Sequence, residues 1–181
     1  QYFKKMELQF LNHADYVVTL TRLAKKEILN WKWVPSTTQV EVIPCCADLN
    51  HFSKKNVDYN LRKSFQEKLQ LKDSDFILTY LGSLGTWYMV DEMVLFFKKL
   101  LELKPNSKFL FITPDSAKTV EDYAIKHHID PSKFITVFGE RREIPTLLSL
   151  SNLGIFFIKP VFSKKASSPT KLAEILAMGL P

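Results

Sequence analysis

The hydrophobic pattern divides most of the chain into short apolar runs and longer segments of helical spacing. Continuous apolar runs predict strands that are buried on both faces. In the second half of the chain such runs cover residues 76–81, 108–112, 134–138 and 153–158. Apolar side chains three and four positions apart predict helices at residues 61–70, 90–101, 116–128, 144–151 and 169–178. Because the two kinds of segment alternate, residues 61–181 are predicted to form an α/β domain with a doubly wound parallel sheet.

The first 60 residues carry a shorter version of the same pattern. Helices are predicted at residues 1–13 and directly after Thr21, and strands at residues 16–20 and 40–43. Residues 45–60 are polar and show no periodicity, which is typical of a linker. We therefore expect residues 1–44 to belong to a separate domain, joined to the rest of the chain by this linker.

The net charge of the chain limits the classes of ligand or partner that we expect. The formal net charge is +6, from 25 basic and 19 acidic residues, and only four of the basic residues are Arg. A lysine-rich excess suits a phosphate-bearing ligand, an anionic membrane surface or simple solubility. The chain has few arginine side chains and no recognised nucleic-acid-binding motif, so no nucleic-acid partner is expected. Salt-dependent binding to DNA or RNA would revive that alternative.

The cysteine and histidine positions favour neither a disulfide nor a metal site. Cys45 and Cys46 are adjacent, and the small ring of such a disulfide is strained, so both thiols are expected to be reduced in a cytoplasmic protein. His127 and His128 are also adjacent and would point to different sides of a helix, so no metal is expected. No apolar run reaches the length of a membrane-spanning helix. The chain starts with Gln and stops directly after a helical pattern, so we expect a piece of a larger protein.

The loops that follow the predicted strands are the candidate ligand site, because ligands of doubly wound sheets bind at the carboxyl ends of the strands. After the first sheet strand, Gly82, Ser83 and Gly85 would let the backbone approach a phosphate, or would simply form a tight turn. After the third, Gly139 and Arg141 could border a base or a phosphate. Otherwise this second loop is exposed and its arginines pair with neighbouring glutamates.

The last 15 residues form the most informative stretch. Ser168 can cap a helix that starts at Pro169, and the free amides from Ser168 through Thr170 to Lys171 could hold a diphosphate. A carboxylate at Glu174 could accept hydrogen bonds from two vicinal hydroxyl groups, such as those of a ribose. Alternatively, Glu174 simply pairs with Lys171, three residues earlier on the helix.

The apolar pattern of this helix also predicts its orientation. Leu172, Ile175 and Leu176 share one face and are predicted to be buried, whereas Glu174 lies beside that stripe. Gly179 is predicted to end the helix. We therefore expect a substitution of Glu174 to weaken ligand binding without unfolding the domain.

Five motifs, in this order and at this spacing, resemble retaining GT-B glycosyltransferases of the group 1, or family 4, type. They are ADYVVTLT at 14–21, VIPCCAD at 42–48, LGSLG at 81–85, IPTLL at 144–148 and SPTKLAEILAMGLP at 168–181. The resemblance implies two Rossmann-like domains: residues 1–44 from the acceptor side, 45–60 as the interdomain linker and 61–181 as an incomplete donor-binding domain. It also implies that Glu174 holds the donor ribose, that residues 168–171 and 82–86 meet the diphosphate, and that residues 139–141 border the base.

The resemblance implies transfer of a sugar from a nucleotide-diphosphate donor to a glycan or lipid-linked acceptor, with retention and without a metal or cofactor at the donor site. It implies a cytoplasmic protein able to contact the inner face of a membrane, and a chain that is inactive by itself. The sequence departs from the family pattern at Ala166, where a second glutamate is usual, at Cys46, where glycine is usual, and in residues 83–88, which lack a basic side chain. Lys171 or Lys164 could supply the missing positive charge.

A non-catalytic binding module of the flavodoxin-like or receiver-like kind would show the same alternation of strands and helices. A receiver needs an acidic cluster at the strand ends, and the predicted ends offer only Asp115. This alternative therefore stands behind the glycosyltransferase interpretation, and binding of nucleotide diphosphates would separate the two.

Overall fold

The computed structural model describes residues 2–181 and divides into two compact units. The first unit runs to Cys46 and also includes Pro160–Thr170. The second unit comprises Ala47–Lys159 and Lys171–Pro181. The chain therefore leaves the second unit after Lys159 and returns to it at Lys171.

The first unit is built from two helices and a pair of parallel strands. Its elements are α1 (Tyr2–His13), β1 (Tyr16–Thr19), α2 (Arg22–Leu29), β2 (Gln39–Val42) and a short 3-10 helix at Phe162–Lys164. Thr21 caps α2 as predicted, since its side-chain oxygen accepts a hydrogen bond from the Ala24 amide at 3.0 Å. Of the helix predicted at residues 1–13, Gln1 lies outside the described residues.

The second unit carries the doubly wound sheet. Its helices are α3 (Tyr59–Lys68), α4 (Val90–Leu103), α5 (Ala117–Lys126), α6 (Ile144–Leu148) and α7 (Thr170–Ala177), the last beginning one residue before the unit resumes. Its strands are β3 (Phe76–Leu81), β4 (Ser107–Ile112), β5 (Phe134–Val137) and β6 (Leu153–Gly154). Within the described residues these strands pair in parallel in the order β5-β4-β3-β6. The order reverses between β3 and β6, and the carboxyl ends of these two strands are where such sheets bind ligands.

Apolar side chains cover both faces of this sheet, which confirms the predicted α/β layering. On β4, Phe109 and Phe111 join one core cluster, while Leu110 and Ile112 join the other. The helices α4 and α5 cover the first face, and α3, α6 and α7 contribute to the second. Every residue from Phe109 to Ile112 is almost fully buried, and this explains why the strand has a continuous apolar run rather than an alternating one.

The strand predicted at residues 153–158 is much shorter in the structure. After Gly154 only the Ile155 amide continues toward β3, donating to the Thr79 carbonyl at 2.8 Å. The chain then turns to the segment that precedes α4, where Ile158 bridges Tyr88 in antiparallel fashion. The apolar run of residues 155–158 therefore reflects packing against that segment and not a full sheet strand.

The predicted linker, residues 45–60, is largely a packed part of the second unit. Phe52 is 2% exposed and Val57 is buried in the same core cluster, on either side of a short 3-10 helix at Lys54–Asn56. Asp58 then caps α3, accepting hydrogen bonds from the amides of Asn60 and Leu61. Two isolated anchors, five residues apart, produce no periodicity, so the sequence pattern could not reveal this packing.

The carboxyl end of α7 is formed as predicted. Gly179 has a φ of +70°, its amide donates to the Leu176 carbonyl, and the Leu180 amide donates to the Ile175 carbonyl. These two bonds form a Schellman motif, which requires the left-handed conformation that glycine adopts readily. Among residues 2–181, no helix combines the length and the apolar character needed to cross a bilayer.

Candidate functional site

The candidate site begins at Gly82, the first residue after β3. Its φ of +113° disfavours any residue with a side chain, and its amide donates to the Ile112 carbonyl at 2.9 Å. A Cβ atom at this position would also lie 2.8 Å from Lys171 Nζ. The backbone conformation therefore requires glycine here, and the flexible end of the lysine side chain packs over it. Gly85, in contrast, has open space around its Cα.

The loop between Gly82 and Thr86 presents unused backbone amides. Within residues 2–181, the N–H groups of Ser83, Gly85 and Thr86 donate no hydrogen bond, whereas that of Leu84 donates to an Asp115 carboxylate oxygen at 2.7 Å. Free amides near the end of a parallel strand are suited to bind the oxygens of a phosphate.

The positive charge of the site comes from Lys171, near the start of α7. Its Nζ atom lies 3.8 Å from the ring centroid of Tyr88 and 4.4 Å from that of Tyr80, with Phe156 at 5.9 Å. It donates to the Tyr80 hydroxyl oxygen at 3.2 Å. Within the described part of the chain, no carboxylate oxygen lies within ion-pair distance of this ammonium group.

Burial controls the protonation of this lysine. It lowers the pKa of Lys171 to about 8, although the negative charge of Glu174 acts in the opposite direction. The ring faces of Tyr80 and Tyr88 stabilise the cation only in part. A ligand anion would give Lys171 the full counter-charge that the protein does not supply.

Tyr80 links this lysine to the glycine loop. Burial, first, and the nearby Tyr88 and Asp115 charges raise the pKa of its hydroxyl well above the usual value, so the group stays neutral. It accepts the hydrogen bond from Lys171 and donates its own proton to the Ser83 carbonyl at 2.6 Å.

Glu174 lies one turn further along α7 and is only 8% exposed. Its Oε1 atom is 3.4 Å from Nη1 of Arg141, whose side chain is 67% exposed and whose guanidinium lies 5.3 Å from the Phe52 ring centroid. Its other oxygen, Oε2, accepts no hydrogen bond from any described residue. The carboxylate therefore has acceptor capacity left for the hydroxyl groups of a ligand.

The orientation of α7 differs from the prediction. Leu172 and Leu176, predicted to be buried, are 45% and 57% exposed, while Glu174 and Ile175 are buried. Ile175 packs so closely on Gly154 that a Cβ atom there would lie 2.7 Å from its Cγ2. This contact turns the face that bears Lys171, Glu174 and Ile175 toward the sheet. The predicted alternative, an ion pair between Lys171 and Glu174, is absent from the described residues, and Glu174 pairs with Arg141.

The loop after β5 joins the site through only one of its two arginines. Arg142 pairs with Glu140 at 2.9 Å, and both side chains are well exposed, as the predicted alternative for this loop required. Arg141 instead reaches Glu174. Packing favours glycine at position 139, because a Cβ atom there would lie 2.4 Å from Leu147 Cδ1.

Three further predicted ligand residues, Ser168, Pro169 and Thr170, belong to the first compact unit. The helix starts at Thr170, one residue after the predicted Pro169. The Ser168 hydroxyl oxygen accepts a hydrogen bond from the amide of Cys45, a free cysteine, at 3.2 Å. Contact of these three residues with a diphosphate stays a prediction.

Sequence reasoning did not include Tyr80, Tyr88 and Phe156 in the site. The available signal was the single tyrosine in the apolar run of β3, since a buried tyrosine needs a hydrogen-bond partner. In the part of the chain that the structure describes, no group of three or more His, Cys, Asp or Glu residues could hold a metal ion.

The fold is shared with solved structures of glycosyltransferases. WaaG, a glycosyltransferase involved in lipopolysaccharide biosynthesis, matches with a TM-score of 0.66 and 18% identity, over 91% of this chain and 42% of that one. Anabaena HepE, solved in complex with UDP and glucose, matches with a TM-score of 0.70 and 11% identity, over 98% of this chain and 46% of that one. The UDP-forming trehalose-phosphate synthase from Burkholderia vietnamiensis matches with a TM-score of 0.65 and 13% identity, over 96% of this chain and 44% of that one.

The chain thus spans less than half the length of each of these three proteins. No protein-family model and no curated protein sequence matches it. All three solved structures are GT-B glycosyltransferases, and the parallel sheet of the second unit corresponds to one Rossmann-like half of that architecture. The chain therefore has the α/β fold of part of a GT-B glycosyltransferase.

Proposed function

We propose that this chain forms the donor-binding part of a retaining glycosyltransferase, which transfers a sugar from a nucleotide-diphosphate sugar to a glycan or lipid-linked acceptor. One observation carries the proposal. A partly buried lysine at the carboxyl end of β3 and a buried glutamate one turn further along α7 have charges that the protein compensates only in part. Burying such charges costs free energy, so their retention favours a ligand that completes them.

The proposed diphosphate position lies between Lys171 and the glycine loop. The ammonium group packs over Gly82, and the free amides of Ser83 and Gly85 belong to the same loop. A diphosphate would receive one full positive charge from the lysine and hydrogen bonds from the amides. This lysine takes the place of the basic residues that residues 83–88 lack.

The nucleoside is proposed to lie at Glu174 and the loop after β5. Oε2 of Glu174 would accept from a ribose hydroxyl, while Oε1 would exchange its long contact with Arg141 for the second hydroxyl. Arg141 would then be free to border the base together with Gly139.

The proposed chemistry uses positioning and charge. Fixed binding of the diphosphate and ribose positions the sugar carbon. In the proposed step the bond from this carbon to the diphosphate oxygen breaks as a bond to the acceptor hydroxyl oxygen forms on the same face, and the hydroxyl proton passes to the departing diphosphate. Lys171 stabilises the negative charge that develops on that leaving group. No cofactor or metal is included in the proposal. For the whole protein, we propose a cytoplasmic enzyme whose acceptor could lie at the inner face of a membrane.

Calorimetric titration of the chain with UDP, GDP and ADP, and with their sugar derivatives, tests this proposal. We expect at least one of them to bind, and Glu174→Gln to weaken that binding about thirtyfold, as expected for loss of hydrogen bonds to a charged acceptor. Glu121→Gln, at an exposed position on α5, is the matched control. If the folded chain binds none of these nucleotides, or if Glu174→Gln binds as well as the unmodified chain, the proposal is wrong.

A further inference from the structure

Asp115 connects the end of β4 to the glycine loop that follows β3. Its Oδ2 atom accepts hydrogen bonds from the Thr113 hydroxyl at 2.8 Å and from the Leu84 amide at 2.7 Å. Its own amide donates back to the Thr113 hydroxyl oxygen at 3.1 Å. Because Thr113 is buried directly after β4, the carboxylate is anchored to the sheet and reaches across to the neighbouring loop.

The Leu84 amide and the Ser83 carbonyl belong to the same peptide group. Asp115 accepts from its N–H, and the Tyr80 hydroxyl donates to its C=O at 2.6 Å. In a planar trans peptide these two groups point in opposite directions, so the unit is held from both sides and cannot flip. Within the described residues the amides on either side, those of Ser83 and Gly85, remain without an acceptor.

We propose that Asp115 is a positioning residue for the diphosphate of the ligand: with Tyr80 it locks the Ser83–Leu84 peptide, so that the flanking amides stay available to phosphate oxygens. This inference rests on the proposed function. A carboxylate beside a phosphate site would otherwise repel the ligand. Here both of its hydrogen bonds hold protein groups in place, and the Leu84 amide is occupied by Asp115 and not by the ligand.

The test compares two substitutions at this position. Asp115→Asn can place its carbonyl oxygen where Oδ2 lies and keep both hydrogen bonds, whereas Asp115→Ala removes both. UDP and inorganic pyrophosphate are the probes, measured by calorimetry. We expect Asp115→Ala to weaken both probes about tenfold and Asp115→Asn to stay within about twofold of the unmodified chain. Asp122→Ala, at an exposed position on α5, is the control for loss of a surface carboxylate.

A second measurement, hydrogen exchange, tests directly whether the Ser83–Leu84 peptide group is held in place. Hydrogen exchange of the Leu84 amide should accelerate at least tenfold in Asp115→Ala and stay slow in Asp115→Asn. Asp115→Leu, which keeps side-chain bulk but has no acceptor, provides a second variant should Asp115→Ala not fold. It should behave as Asp115→Ala does.

The possible outcomes separate this inference from the proposed function. Unchanged affinity in the folded variants that lack an acceptor overturns the positioning role. Equal losses in Asp115→Asn and Asp115→Ala also overturn it, because they would mean that the charge matters and not the hydrogen bonds. If the unmodified chain binds no nucleotide, the proposed function itself fails, and the inference fails with it.

Discussion

Two clusters of charged side chains in the second unit differ in how completely their charges are paired. Between α4 and α5, Asp91 Oδ1 accepts from Lys126 Nζ at 2.7 Å and from His127 Nε2 at 2.6 Å, in a partly exposed position. On α7, the hydrogen-bond and ring partners of the partly buried Lys171 among residues 2–181 are only a tyrosine hydroxyl and aromatic rings. The buried Glu174 has one long contact, with Arg141, within the same residues.

The clusters differ in how well neighbouring protein groups stabilise the charged form of the central side chain. The hydrogen bonds from Lys126 and His127 lower the pKa of Asp91, which shows that the charged form is well stabilised. Burial lowers the pKa of Lys171, which shows that its charged form is poorly stabilised. A complete cluster near solvent contributes modestly to stability, whereas an incomplete buried one lowers it. We infer that the first cluster serves the fold and the second serves a ligand.

The largest effect is expected for Lys171→Met, which keeps the length of the side chain and removes its charge. Nucleotide-diphosphate affinity should fall by about 3 kcal/mol, more than a hundredfold, because the cation that faces the diphosphate is lost. The melting temperature at pH 7 should rise, because a poorly stabilised, partly buried charge disappears. Calorimetry and thermal unfolding measure the two quantities, and Lys99→Met, on the exposed face of α4, is the control. A parallel loss of affinity and stability would point to a structural role.

Glu174→Gln should lower the same affinity by about 2 kcal/mol, since an amide accepts the ribose hydrogen bonds less strongly than a carboxylate. The structure also changes what is expected of Glu174→Ala. Because the side chain is buried, the alanine variant should leave a cavity and melt at a lower temperature than the glutamine variant, which keeps the side-chain volume. Thermal unfolding of both variants checks this, and equal melting temperatures would mean that burial of Glu174 contributes nothing.

Affinity for the diphosphate should depend on pH through Lys171. The amine of the free protein loses its proton around pH 8, so affinity should be constant below that pH and fall as the pH rises above it, by at most about tenfold per unit. Proton uptake on binding should be seen as a buffer-dependent heat in calorimetry at pH 8. In Lys171→Met, the fall in affinity above pH 8 should disappear. If it persists, the proton taken up on binding belongs to another group.

The smallest effect is expected for Asp91→Asn. Stability should fall by less than about 1 kcal/mol, as is usual for exposed ion pairs, and nucleotide affinity should not change. Because the pKa of Asp91 is lowered in the folded state, its contribution is present above the unfolded pKa of about 3.9 and is lost as the pH falls through the folded value. Unfolding curves of the two proteins should therefore converge in acid. A change in nucleotide affinity would contradict the division between the clusters.

The sheet could be predicted from the sequence where burial is uniform. The apolar run at residues 76–81 matches β3 because both faces of that strand are covered. The run at 153–158 predicted too long a strand, because an apolar residue packs equally well against a sheet neighbour and against a loop. The packing of residues 45–60 could not be predicted for the opposite reason, since Phe52 and Val57 anchor a segment that has no period.

The residue types of the site could be predicted, but their orientation could not. The motif at residues 168–181 identifies Lys171 and Glu174 as site residues. The pattern of Leu172 and Leu176, however, predicts that a different face of α7 is buried, and both leucines are exposed. Hydrophobic periodicity assumes that a buried face is apolar, and a ligand site is where that assumption breaks down. The hydrogen bonds from Lys171 to Tyr80 and from the Leu84 amide to Asp115 join residues distant in sequence, so no local pattern could reveal them.

The most direct test of the central claim is the titration of the Lys171 side-chain amine by NMR, with and without the tightest-binding nucleotide diphosphate. Without ligand, we predict a pKa near 8, caused by burial without a counter-charge. With ligand bound, the pKa should rise by at least about one unit, because the diphosphate supplies the missing negative charge. A pKa that is the same in the free and the bound protein would contradict the claim that this buried charge is held for the ligand.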